Sequence, residues 1–197
     1  MTRLALAALL GAAATAAAAQ GANPLDFPQP AEGGEFYALI EIPAGSMTKY
    51  ETDAGTGLVV VDRFMPMAVA YPANYGSVPQ TANVDGDPLD VLVYTREPVV
   101  PGALILVRPI GLMGMIDGGE QDSKIIAVPA SDVDPTYDAI RSAADMPAAE
   151  MDRLQGFFAV YKRQPDGSNE VEMTGLSDAA AAQALLAQAM EARRAAP

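Results

Sequence analysis

Asp85, Asp87 and Asp90 fall within six positions of one another in the run Asp85-Gly86-Asp87-Pro88-Leu89-Asp90, which leads straight into Val91-Leu92-Val93. Three carboxylates this close repel one another unless positive charge lies among them. The chain has no histidine and no cysteine. The compensating charge must therefore be a hard cation held by oxygen ligands, or nearby Lys and Arg. The same absences exclude an imidazole-based serine triad, His-ligated zinc, thiolate nucleophiles, disulfides and iron–sulfur sites.

Three further polar groups recur around the apolar runs. Glu41 leads to Lys49-Tyr50-Glu51, with Arg63 closing the next apolar stretch. Tyr71-Pro72-Ala73-Asn74-Tyr75-Gly76 follows, and Tyr161-Lys162 lies near the end of a helical pattern. Asp117 and Asp122, with Lys124 two residues on, add to the aspartate run. Taken singly each has a plain explanation: Asp-Gly-Asp-Pro is good turn chemistry, and lone lysines are usually solvated. An EF-hand is excluded, because Leu89 stands at the third ligand position and Arg96 at the twelfth.

Together these explanations weaken. From Asp85 to Asp122 seven acids face two bases, and the acids sit beside turns flanking apolar strands. Barrel strands bring such turns to a common end. The five aspartates with Glu41 and Glu51, set against Lys49, Arg63, Lys124 and Lys162, leave a net charge of −3. With about three or four divalent ions that site attracts a small polyanion instead of repelling it. Four cationic side chains and the phenols exceed what carboxylate ligation needs and suit phosphoryl oxygens, Arg63 in bidentate fashion. No Gly-x-x-x-x-Gly-Lys loop is present, so a P-loop nucleotide site is excluded.

The elements that must position these residues are short. Strands are predicted at Phe36–Ile42, Leu58–Phe64, Leu89–Tyr94, Leu104–Met113 and Lys124–Val128, each bounded by Gly, Pro or Asp. Helices are predicted at Thr136–Ser142 behind Asp134-Pro135, at 148–162, and after the Ser177-Asp178 cap. The pattern indicates an α+β domain over 36–197, a small barrel followed by helices, and no internal repeat. The 197 residues and 50% apolar content suit one core, and a net charge of −13 argues against nucleic acid or anionic lipid as partner. Residues 1–19 read as a cleaved signal peptide (Arg3, then Leu4 to Leu10, then Ala17-Ala18-Ala19), and 20–35 as an N-terminal arm. A periplasmic or secreted location, without membrane attachment after cleavage, is expected.

The ordered set Lys49-Tyr50-Glu51, Val61-Asp62-Arg63-Phe64, Tyr71-Pro72-x-Asn74-Tyr75-Gly76, Asp85-Gly86-Asp87-Pro88-Leu89-Asp90, Asp117 to Lys124 and Tyr161-Lys162 resembles the soluble family I inorganic pyrophosphatases. The likeness spans about residues 36–190. It implies a five-stranded OB-like β-barrel with flanking α-helices, and Mg²⁺-dependent hydrolysis of inorganic diphosphate to two phosphates through a metal-bridged water. By the same resemblance Asp85, Asp90 and Asp122 would hold the first metal, with Asp90 shared by a second. Asp117 would bind a substrate-associated ion, with Glu41 and Glu51 acting largely through water. Asp87 would be the general base, Tyr75 would support the nucleophile, and Lys49, Arg63, Lys124, Tyr161 and Lys162 would bind phosphate. Mn²⁺ or Zn²⁺ are implied substitutes, Ca²⁺ an inhibitor, and a homo-oligomer, commonly a hexamer, the assembly. Gly118 and Gln121 stand where bacterial members often carry acids, and an export signal is unusual among them. Two other readings account for part of the pattern. A broader nucleotide or polyphosphate phosphatase lacks an evident pocket for a base, and a secreted acidic calcium-binding module leaves the lysines and phenols idle.

Overall fold

The computed structural model describes residues 23–31, 34–84 and 86–196. Residues 1–19, expected to be a signal peptide, and Asp85 therefore lie outside the described residues. Among the described residues nine strands and two α-helices are formed: β1 Phe36–Ile42, β2 Thr48–Thr52, β3 Val59–Phe64, β4 Asn74–Val78, β5 Leu89–Val93, β6 Leu104–Asp117, β7 Glu120–Gln121, β8 Lys124–Pro129, α1 Ala148–Phe158, β9 Val171–Ser177 and α2 Ala179–Ala195. Pairing runs β1-β4-β5-β8-β6 and closes through β1–β6, giving the expected ring of five strands. β2 and β3 form a separate two-stranded ribbon.

Period-two alternation decides which residues meet. Leu89, Val91 and Val93 of β5 join Ile125 and Ala127 of β8 in one apolar cluster, which includes Ala182, Leu186 and Ala189 of α2. Leu92, Ile126 and Val128, on the opposite face, join Met151, Leu154, Phe157 and Phe158 of α1. The parallel register Val91↔Ile125, Leu92↔Ile126 sets Asp90 and Lys124, one position earlier, side by side at the mouth of that second cluster.

Four features differ from the sequence-based expectation. The predicted helix at 136–142 is instead two 3₁₀ turns, Pro135–Tyr137 and Ala143–Asp145. Arg108 of β6 takes the carbonyls of Tyr137 and Ile140 as hydrogen-bond acceptors, and the Ser142/Asp145 capping box starts the second turn afresh. α1 stops at Phe158, so Tyr161 and Lys162 sit on the turn after it. β6 runs on to Asp117 because β9 and β7 pair with its distal half. β2, β4 and β9 carry too little apolar alternation to be seen locally; β4 owes its state to pairing on both edges. Asn74, the buried carboxamide of the Tyr71–Gly76 motif, pins that region. It accepts from Ala44 N (3.1 Å) and Val99 N (2.8 Å) and donates to Val93 O (3.0 Å) and Thr95 Oγ1 (2.7 Å). All four of its hydrogen-bonding positions are used, as burial demands.

Candidate active site

Lys124 is the centre of the site. Its ammonium is 1% exposed, 2.5 Å from Asp90 Oδ2, 2.8 Å from Asp122 Oδ1 and 3.4 Å from the Tyr75 hydroxyl, with the rings of Tyr75 and Phe158 beneath it at 5.4 and 5.8 Å. Burial pulls its pKa down, yet the charges of Asp90 and Asp122 outweigh that and hold it above the ordinary lysine value, so it stays charged. Two similar pairs stand nearby. Lys162 is bonded to Asp117 and lies over the Tyr161 ring. Lys49 is bonded to Glu51 and is 3.0 Å from Asp62, which also takes Arg63 at 2.8 Å.

A cleft of about 240 Å³ gathers eleven of the thirteen predicted residues: Lys49, Glu51, Arg63, Tyr75, Asp87, Asp90, Asp117, Asp122, Lys124, Tyr161 and Lys162. Glu41 lines an adjoining cavity that shares Glu51, Asp87 and Asp90 with the first. Asp85 is the thirteenth and lies outside the described residues. Each arrives by a different route: the ribbon supplies Lys49, Glu51 and Arg63, parallel strands supply Asp90 and Lys124, and the β6–β7 hairpin supplies Asp117. Asp87 follows Gly86, whose φ of 89° only glycine adopts freely, and its carbonyl accepts from Asn83 N at 2.7 Å.

The donor chemistry suits a hard divalent ion, and one observation supports the fit. Burial, reinforced by the charges of Asp90 and Asp117, keeps the Asp122 carboxyl above its usual value even with Lys124 against it. The wall thus retains uncompensated negative character that further cations would relieve. Among the described residues no three carboxylates converge closely enough to hold an ion, because the lysines lie between them. The phenols of Tyr71, Tyr75 and Tyr161 are buried and pushed well above the ordinary tyrosine value, so they remain neutral donors at physiological pH.

A sequence model described as inorganic pyrophosphatase matches residues 38–194. The chain belongs to that family. It is similar to the inorganic pyrophosphatase of Aquifex pyrophilus, with 48% identity over 147 residues, 74% of this chain and 83% of the relative. It is 40% identical over 172 residues to that of Agrobacterium fabrum, covering 87% and 92%. Among solved structures, inorganic pyrophosphatase from Thermus thermophilus superposes with a TM-score of 0.82 at 35% identity, covering 88% of this chain and 99% of the other. The pyrophosphatase fold is thus the one built here, a five-stranded ring with helices beside it.

Sequence reasoning gave no role to two residues that line this pyrophosphatase cleft, or to Asp62, which is bonded to two of its cations. Tyr71 lines it and stacks 4.7 Å from Phe157, but its motif position reads equally as core. Asn83 also lines it, and no local signal marks it. Asp62 orders Lys49 and Arg63, and its place beside Arg63 was the available clue.

Glu41 carries a pH prediction. Its carboxyl is 5% exposed, accepts from Thr52 N at 3.0 Å, and is held above the ordinary glutamate value chiefly by burial. Above pH 4.5 the unfolded chain releases this proton while the folded chain keeps it. The metal-free protein therefore loses stability as pH rises towards the elevated folded value. Glu41→Gln keeps the acceptor and removes the penalty. Urea midpoints in chelator should show the variant gaining on the parent between pH 4 and pH 7; a parent at least as stable at pH 7 contradicts this.

Proposed function

We propose that this chain hydrolyses inorganic diphosphate to two phosphates with divalent cations, Mg²⁺ foremost. The observation that carries the reading is one small cleft in which five acids meet three lysines, an arginine and neutral phenols, with Glu41 in the adjoining cavity. A dianionic phosphoryl group would meet lysine, arginine and phenol donors interleaved with carboxylates. Such a site holds a polyanion only when those carboxylates are themselves neutralised.

Asp85, Asp90, Asp117 and Asp122, with Glu41 and Glu51 through water, would hold the ions. Bound there, the ions supply charge neutralisation and make the attacking water more acidic. Asp87 accepts the proton of that water, a task within reach of a carboxylate once the water is acidified. Lys49, Arg63, Lys124 and Lys162 hold phosphoryl oxygens by charge, and Tyr161 donates a neutral hydrogen bond. Their contribution grows as negative charge builds on the leaving phosphate. Tyr75, against Lys124, keeps that ammonium aimed at the cleft.

Mn²⁺ or Zn²⁺ fit the same oxygen donors as substitutes, while Ca²⁺, with longer and looser coordination, competes unproductively. Gly118 and Gln121 remove two acids and weaken the outer ions. The composition of residues 1–19 supports export, and the family likeness supports a homo-oligomer such as a hexamer.

The deciding assay is phosphate release by the chain from Gln20 onward, with diphosphate, tripolyphosphate and ATP in parallel. Diphosphate turnover should require Mg²⁺, vanish with chelator and return on re-addition, with ATP spared. Turnover surviving exhaustive chelation, or equal use of ATP, overturns the reading. Calcium binding without phosphate release would point to a binding module.

A further inference from the structure

We infer that the N-terminal arm, Asn23 to Gln29, is a positioning strap for the β2–β3 ribbon that carries Lys49, Glu51 and Arg63. The ribbon has no ladder to the main sheet and needs other restraints. Its base is tied by Tyr71 N to Ser46 O (2.9 Å), and the last rung before the tip by Thr52 N to Glu41 Oε1 (3.0 Å). The tip, residues 53–57, meets the arm: Asn23 Nδ2 donates to Ala54 O at 2.8 Å, and Gly57 lies against Asn23 and Pro24. A Cβ on Gly57 would be 2.7 Å from Pro24 Cδ, and its φ of +70° also favours glycine.

The arm is itself anchored. Asn23 Oδ1 accepts from Leu25 N (3.0 Å) and caps the 3₁₀ turn Pro24–Asp26. Leu25 O accepts from Gln80 N at 3.0 Å, where Gln80 is held at φ 60° just before the aspartate loop. The Gln29 carboxamide makes three bonds: it accepts from Tyr37 N (2.8 Å) and donates to Tyr37 O (3.0 Å) and Pro79 O (2.9 Å). Phe27 stands edge-on to Tyr37. Leu25 lines the same cavity as Glu41, Glu51 and Asp87. One short segment therefore spans from the phosphate-holding ribbon to the strand that feeds the catalytic loop. Without it, the ribbon's cations sample more positions and bind the phosphoryl groups less well, which is a loss of preorganisation.

This rests on the diphosphatase reading, and the test separates the two. Asn23→Ser keeps a capping oxygen but shortens the reach to Ala54 O. Gln29→Ala releases the anchor, and Gly57→Ala presses on the arm from the ribbon side. Gly55→Ala, whose Cβ would meet nothing closer than 3.6 Å, is the control in the same turn. With Mg²⁺ present, the first three should raise KM for diphosphate about threefold to tenfold, the effect of losing roughly one hydrogen bond's worth of restraint, with kcat within about twofold. They should also weaken a non-hydrolysable diphosphate analogue in step and speed amide hydrogen exchange over 48–64, while Gly55→Ala does neither. Faster exchange with unchanged KM would make the arm merely structural, and unchanged exchange would remove the strap altogether. A parent protein that does not turn over diphosphate would instead sink the functional reading, leaving the exchange result to judge the strap.

Discussion

Asp87→Asn is expected to lower kcat for diphosphate by about 10²- to 10⁴-fold, the range typical of losing a general base. The substitution keeps size and one hydrogen-bond acceptor while removing the charge and basicity of the carboxylate. The loop should hold its shape, since it is set by the Asn83 N to Asp87 O bond, by Gly86 N donating to Asn83 O (3.0 Å), and by Pro88 ahead of β5. Mg²⁺ affinity and KM should therefore move much less than kcat. Asp87 borders both the main cleft and the Glu41 cavity. Steady-state kinetics with calorimetric Mg²⁺ titration provide the check. A variant within about threefold of parental kcat would remove Asp87 from the chemistry, and an equal loss of Mg²⁺ affinity would make it a ligand instead.

Lys124→Met is the second large effect, and its sign depends on metal. Without divalent ions the substitution leaves Asp90 and Asp122 facing each other with their bridging cation gone. Breaking a buried pair by removing one member costs about 3–5 kcal/mol. The two carboxylates are 24% and 27% exposed, which favours the lower end of that range. The apolar stem is largely replaced, so the loss is electrostatic and not one of packing. Added Mg²⁺ should then stabilise the variant more than the parent, because no ammonium competes for the carboxylates. Activity should stay at least about tenfold down even at saturating Mg²⁺, since one cation that meets developing charge is missing. Thermal melts with and without chelator, alongside kinetics, test both halves. Equal stabilisation of parent and variant by Mg²⁺ would show that Lys124 and the ions do not share the carboxylates.

The same lysine shows why so much of the site could be read in advance. Asp90 and Lys124 are 34 residues apart, and nothing local says they touch. Each, however, begins an apolar strand immediately after a turn. A closed barrel carries strand starts of parallel neighbours to one end. Tyr161 and Lys162 were visible because they end a helical apolar pattern whose buried side, Leu154, Phe157 and Phe158, must face the sheet. Arg108 shows the opposite case. The Asp134-Pro135 cap forms as read, but the turn it starts ends at Tyr137, where the Tyr137 and Ile140 carbonyls go to Arg108, and no reading of 134–142 alone could include a guanidinium from β6.

The amino-acid sequence alone determined the chemistry available to this protein. With no histidine or cysteine, and with aspartates spaced around Gly86 and Pro88, it admits oxygen ligation and lysine or arginine contacts to a polyanion and little else. Alternation along β5 also settled that Asp90 shares a face with Leu92 and not with Val91. Only the tertiary structure decided which acid meets which base, how the β2–β3 ribbon is held over the cleft, and where α1 ends. The reason is physical: those outcomes depend on ring closure and strand partners far apart in the chain, whereas residue chemistry and two-residue periodicity are local properties.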